Sequence, residues 1–113
     1  MREPERDNGR IQDMLEHAQN IMDFVEGVAF EDFVKDKILY FALVKNLEII
    51  GEAAYMLTPA FKQAHPEIAW EPCVKMRHIL VHGYASVEPE IVWDTAVNDI
   101  PKLREQLKVL RNR

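Results

Sequence analysis

Cysteine, glycine and proline are all scarce: the 113 residues hold one Cys, four Gly and six Pro. A lone Cys73 leaves no internal disulfide to staple the fold. The opening MREPERDNGR is charged where a signal peptide would carry an apolar core, so a cytoplasmic location is the expectation. No apolar run approaches the roughly 20 residues that a bilayer crossing needs. Lys45, Glu48 and Glu52 interrupt the longest stretches, and no membrane association is expected. With 48% apolar residues and few chain breakers, the composition argues against both a disordered chain and an all-β one. The length suits a single domain, 1–113, with one core.

Positive charge is also in short supply. The net charge of −5 argues against a protein that binds nucleic acid by bulk attraction to phosphate. The charge is uneven, however. Residues 1–60 carry 6 basic against 12 acidic side chains, and residues 61–113 carry 8 against 7. Lys102, Arg104, Lys108, Arg111 and Arg113 cluster near the end, where favourable charge at a helix C-terminus is the simplest account. Metal and cofactor sites have little to be built from. One cysteine and four scattered histidines (His17, His65, His78, His82) give no zinc spacing, no glycine-rich loop opens a helix to cradle phosphate, and no nucleophile elbow supports acyl transfer. Neither metal nor cofactor is expected.

Hydrophobic periodicity is what the sequence does supply. Between Gly9 and Gly27, the residues Ile11, Met14, Leu15, Ala18, Ile21, Met22 and Val25 fall three and four apart, which predicts one buried helical stripe. From Phe30 to about Leu57 the pattern runs on through Phe33, Ile38, Phe41, Ala42, Ile49 and Ala53 without a proline. That predicts one helix of roughly 28 residues and about 42 Å, ended by Thr58 and Pro59. TPAFKQAHPEIAWEP reads as a connector with one short helical turn. PCVKMRHILVHG reads as a short helix with Pro72 in its first turn and Gly83 just past its end. A last helix follows, capped by Ser86 or Glu88, opened by Pro89, carried by Ile91, Val92, Ala96, Ile100, Leu103, Leu107 and Leu110, and kinked at Pro101. No strand-like alternation appears, so the expected fold is an all-α bundle of four or five helices.

Two stretches carry candidate chemistry. In LEIIGEAA, Gly51 inside a helix costs up to about 1 kcal/mol relative to Ala, which suggests that another backbone comes close there. Glu52 on the same helix would need a cation if partly buried, and Arg77 or a histidine is the natural candidate. In MRHILVHGY, an arginine fork can grip a phosphate oxygen and a histidine can exchange a proton near neutral pH. Those are the needs of metal-free RNA cleavage by 2′-hydroxyl attack: a base, an acid, and a cation for the charge that builds on phosphorus. One copy supplies too little. On a continuous helix, positions 77 and 82 differ by about 140°. Two copies about a two-fold axis would bring two histidines and two arginines into one cleft, and such dimers are the commonest oligomers. The plainer readings are a helix-capping His82 and a core Tyr84.

RHILVHGY resembles the Arg-x4-6-His motif of the HEPN superfamily. With its tyrosine it is similar to the HepT toxins of the MNT-HEPN toxin–antitoxin systems, whose motif is Arg-x4-His-x-Tyr. LEIIGEAA, Pro66 and Trp70, IVWD and IPKLREQL extend that resemblance over most of the chain. It implies a HEPN-like, all-α, dimeric and metal-independent endoribonuclease acting on RNA, with paired motifs at the dimer interface. Arg77 and His82 match the family's catalytic pair. Tyr84 matches the tyrosine that a minimal nucleotidyltransferase antitoxin modifies with AMP to silence the toxin. His78 departs from the Asn or Asp often found after the arginine; an imidazole there could keep the polar role or add a second titrating group. Two rivals stand beside this reading, a non-catalytic nucleotide- or partner-binding module and a structural helical dimer.

Overall fold

The computed structural model describes residues 4–112, with the side chains of Pro4 and Tyr84 outside that description. Among the described residues every regular element is helical and none is a strand. After a 3-10 turn at Pro4–Arg6 come α1 (Asp7–Val25), α2 (Phe30–Phe33), α3 (Lys37–Met56), α4 (Pro59–Ala64) and α5 (Trp70–Gly83). A second 3-10 turn at Tyr84–Ser86 leads to α6 (Pro89–Asp94), which runs through a π turn at Thr95–Asp99 into α7 (Ile100–Arg111). Counting α6 to α7 as one rod gives six helices among the described residues, where periodicity predicted four or five.

The extra helix comes from a break in the expected 28-residue rod. Asp36 adopts an extended backbone and its carboxylate accepts the Leu39 N–H at 3.0 Å, so it caps the start of α3. The break lets the short α2 turn Phe33 into the interior. There it lies 4.8 Å from the Trp93 ring, with Phe30 and Tyr40 around it. Periodicity carried the helix through this point because the apolar spacing happens to continue across it. Two residues of that spacing face outward instead: Phe41 is half exposed and Ile38 is 85% exposed.

Other signals act a residue or two from where they were expected. Thr58 does not merely end α3; its hydroxyl accepts the Phe61 N–H at 3.2 Å and caps α4, with Pro59 in the first turn. α1 ends at Val25, and Gly27 takes a φ of +72°, the left-handed geometry that closes a helix. Gly83 is the last residue of α5, which begins at Trp70, two residues before Pro72. Glu88, not Ser86, occupies the cap position of α6, with Pro89 in its first turn. Pro101 lacks an N–H and its ring would strike the carbonyl four residues back in a regular helix. The π turn just before it answers this, with the Ile100 N–H donating to the Thr95 carbonyl five residues back.

The core joins all of these pieces. Met14, Ala18 and Ile21 of α1, Leu43 and Ile50 of α3, Leu80 of α5, Val92 of α6 and Leu107 of α7 are buried together in one cluster. A polar tie fixes the corner where α1 begins. The buried Asp7 carboxylate accepts both the Thr58 N–H at 3.0 Å and the Thr58 hydroxyl at 2.7 Å, which locks the α3–α4 junction against α1. With α3 held on one side by α1, its other side is set for α5.

Candidate active site

Gly51 decides how closely α3 and α5 approach. A Cβ on Gly51 would lie 2.6 Å from the Cys73 carbonyl oxygen and nearer still to the Arg77 Cβ. Nothing larger than hydrogen fits there, because both neighbours belong to the α5 backbone or stand next to it. The close approach brings the adjacent Glu52 within reach of α5. Arg77 Nε donates to Glu52 Oε2 at 2.6 Å, with the two side chains 30% and 48% exposed. One turn further along α3, the Tyr55 ring lies 5.8 Å from the Arg77 Cζ, within cation–π range. Glu52 and Tyr55 thus hold the guanidinium, and Gly51 leaves room for its stem. The bridge occupies the Nε edge, and a guanidinium carries five N–H donors, so its terminal amino groups keep donors suited to a phosphate.

The histidines lie on a different side of α5. His78 and His82, four residues apart, lie with ring centroids 4.5 Å apart and planes tilted by 55°, and both are exposed. Between them Leu80 points into the core, while Ile79 and Val81 are 41% and 44% exposed. A single chain therefore brings together Arg77 with Glu52, and His78 with His82. The step of about 140° from position 77 to 82 keeps Arg77 and His82 off a common face of α5. The backbone of Tyr84 opens the 3-10 turn that follows α5, and its side chain lies outside the described residues.

The other two histidines serve structure. The His17 ring pairs with the Asp13 carbonyl at 2.8 Å, one turn back in α1. His65 packs on Phe61 with 4.8 Å between ring centroids, and its carbonyl accepts the Trp70 indole N–H at 2.9 Å. Among the described residues no group of three His, Cys, Asp or Glu side chains gathers closely enough to hold a metal ion.

Sequence reasoning missed two features where α3 and α5 meet. Tyr55 was one; its place four residues after Gly51 on the same helix was the available signal. The other is a cavity of about 370 Å³ where Cys73 and Met76 of α5 meet Ile50, Asp99 and Leu103. Burial, and then the negative charge of Asp99, push the Cys73 thiol up from an ordinary 9.0 to about 11. It stays protonated at neutral pH and offers no nucleophile.

Comparison with known proteins identifies the family. A family model described as "Ribonuclease HepT-like" matches residues 14–110. A protein of Thermococcus cleftensis named "Probable ribonuclease HepT" is 40% identical over 101 residues, covering 89% of this chain and 92% of its own. A protein of Caldanaerobacter subterraneus subsp. tengcongensis, named as a candidate RNase, is 39% identical over 98 residues, covering 87% and 88%. Another candidate RNase, from Methanocaldococcus jannaschii, is 35% identical over 91 residues, covering 80% and 75%. No solved structure matches the chain significantly.

Proposed function

The chain belongs to the HepT-like ribonuclease family, and from that premise we propose that it is a metal-independent endoribonuclease, the toxin of a toxin–antitoxin pair. The observation that carries this reading is the arrangement on α5: an arginine held by Glu52 at 2.6 Å, and on another side of the helix two exposed imidazoles with Ile79 and Val81 around them. Exposed apolar side chains interleaved with proton-transfer groups suit a surface that a second copy covers. In the two-fold dimer we propose, both copies of Arg77 and His82 line one cleft.

The reaction follows from those groups. The 2′-oxygen of a ribose attacks the adjacent phosphorus, and one His82 imidazole accepts its proton. The bond from phosphorus to the 5′-oxygen breaks as His82 of the other copy, protonated, donates to that oxygen. The products are a 2′,3′-cyclic phosphate and a 5′-hydroxyl. Arg77 grips the non-bridging oxygens and offsets their growing charge, a role in which one well-placed donor contributes roughly 3 kcal/mol. Side chains handle every proton, so the scheme requires no metal ion. His78, whose ring lies 4.5 Å from that of His82 and tilted against it, helps to fix that ring.

Regulation is proposed at Tyr84. A nucleotidyltransferase antitoxin would transfer AMP from ATP to the phenol oxygen, releasing pyrophosphate. The added phosphate, two residues from His82, would occupy by charge and bulk the place of an RNA phosphate. Val34 and Phe41 with Ala85, Val87 and Pro89 line a cleft of about 560 Å³ immediately after Tyr84 in the chain, a foothold for such a partner.

The test is RNA cleavage in excess EDTA. Wild-type protein should cut, and His82→Ala should lose cleavage by at least a hundredfold while keeping its circular dichroism and its dimer. Persistent cutting by His82→Ala rejects the assignment.

A further inference from the structure

The basic residues near the C-terminus do more than balance a helix end. Arg104, Lys108 and Arg111 recur at spacings of four and three, which places them along one face of α7. That face forms one wall of a groove of about 510 Å³ whose other wall is α1. The Arg111 guanidinium donates to the Gln12 side-chain oxygen of α1 at 2.9 Å, which orients it across the groove. Arg104 leans on its neighbour Glu105 at 3.9 Å, and a surface pair of that kind is easily exchanged for another anion. Glu16 is the acidic residue of the lining, so the groove remains positive in a chain whose net charge is −5. From Gln106 to Asn112 the described chain carries no acidic residue at all.

We propose that this α1–α7 groove binds the phosphate backbone of single-stranded RNA, separately from the reacting phosphate at Arg77. The inference rests on RNA being the substrate. Seven residues of α-helix rise about 10 Å, so the three cations are spread over the reach of adjacent phosphates on one strand. A short row of cations with one amide wall and no aromatic platform tracks a backbone without reading bases. The groove therefore adds affinity without sequence preference, and it explains how an acidic protein retains RNA long enough to cut it. Glu16 limits that affinity, because its carboxylate faces the same channel.

Fluorescence anisotropy with a labelled 12-residue 2′-O-methyl oligouridylate in EDTA measures binding without cleavage, since the 2′-oxygen is blocked. The combined variant Arg104→Gln, Lys108→Gln, Arg111→Gln should bind at least tenfold more weakly. Its log–log salt slope should be shallower by about 2, at about 0.7 per phosphate contact for single strands. Glu16→Gln should bind more tightly than wild type. A charge-matched control, Lys35→Gln, Lys37→Gln, Lys45→Gln, should change affinity less than twofold, and thermal melts followed by circular dichroism confirm that each variant is folded. Equal losses in the two triple variants, or no binding by wild type, overturn the proposal. Cleavage of ordinary RNA with binding unchanged in the α7 variant removes the groove and keeps the nuclease. Binding lost in that variant, with no cleavage by wild type, keeps the groove and removes the nuclease.

Discussion

Gly51 and Glu52, adjacent on α3, illustrate how one position sets packing and the next sets chemistry. Alanine is the better helix former by up to about 1 kcal/mol, so propensity alone would favour Gly51→Ala. The Cys73 carbonyl 2.6 Å from the added methyl reverses that expectation, because α5 must move away. Overpacking of this kind costs typically 1–3 kcal/mol, and a net loss of about 1–2 kcal/mol should appear in urea unfolding. Glu52→Gln is the opposite case. The bridge is partly solvated at both ends, so its loss should cost less than about 1 kcal/mol of stability. The guanidinium would lose the carboxylate that aims it, however, and cleavage should fall on the order of tenfold to a hundredfold in kcat with the fold intact. A Glu52→Gln protein that cuts at the wild-type rate would show that Arg77 needs no such support. Both residues were legible in LEIIGEAA, since a glycine and a carboxylate on an apolar helix each demand a neighbour. Tyr55 was legible only as a residue four places after Gly51, because a tyrosine on a helix face does not say which cation lies beyond it.

At the scale of the element, periodicity located the helices and failed at their joints. The stripe from Ile11 to Ile21 is buried as its spacing requires. The run from Phe30 to Leu57 obeys the same rule and yet breaks at Asp36, because a capping hydrogen bond and the burial of Phe33 against Trp93 outweigh three residues of helix. The spacing could not reveal this, since Trp93 lies sixty residues further along the chain. Asp36→Ala removes the cap and should destabilise the protein by about 1 kcal/mol in the same unfolding measurement. An unchanged midpoint would mean that α3 starts without help. Pro101 was read as a kink, and the helix takes it up as a π turn over Thr95–Asp99. Sequence announces the missing N–H but not which ladder adjustment absorbs it.

For the whole molecule, the decisive feature is that α5 divides its chemistry between two faces. Arg77 is tied to α3, while His78 and His82 look outward among exposed apolar residues. Helical angles alone set positions 77 and 82 about 140° apart, and the second copy proposed above rests on that separation. The resemblance of RHILVHGY and its flanks supplied the reaction class, which geometry alone leaves open. The central claim is that His82 moves the proton of an attacking ribose 2′-hydroxyl. The most direct test is to cleave one defined RNA in EDTA, map the cut, and repeat the assay with a single 2′-deoxy nucleotide on the 5′ side of that bond. The account predicts a 2′,3′-cyclic phosphate and a 5′-hydroxyl on the cut RNA, and no cleavage at the deoxy position. Cleavage at the deoxy position, or products ending in a 5′-phosphate, would contradict it.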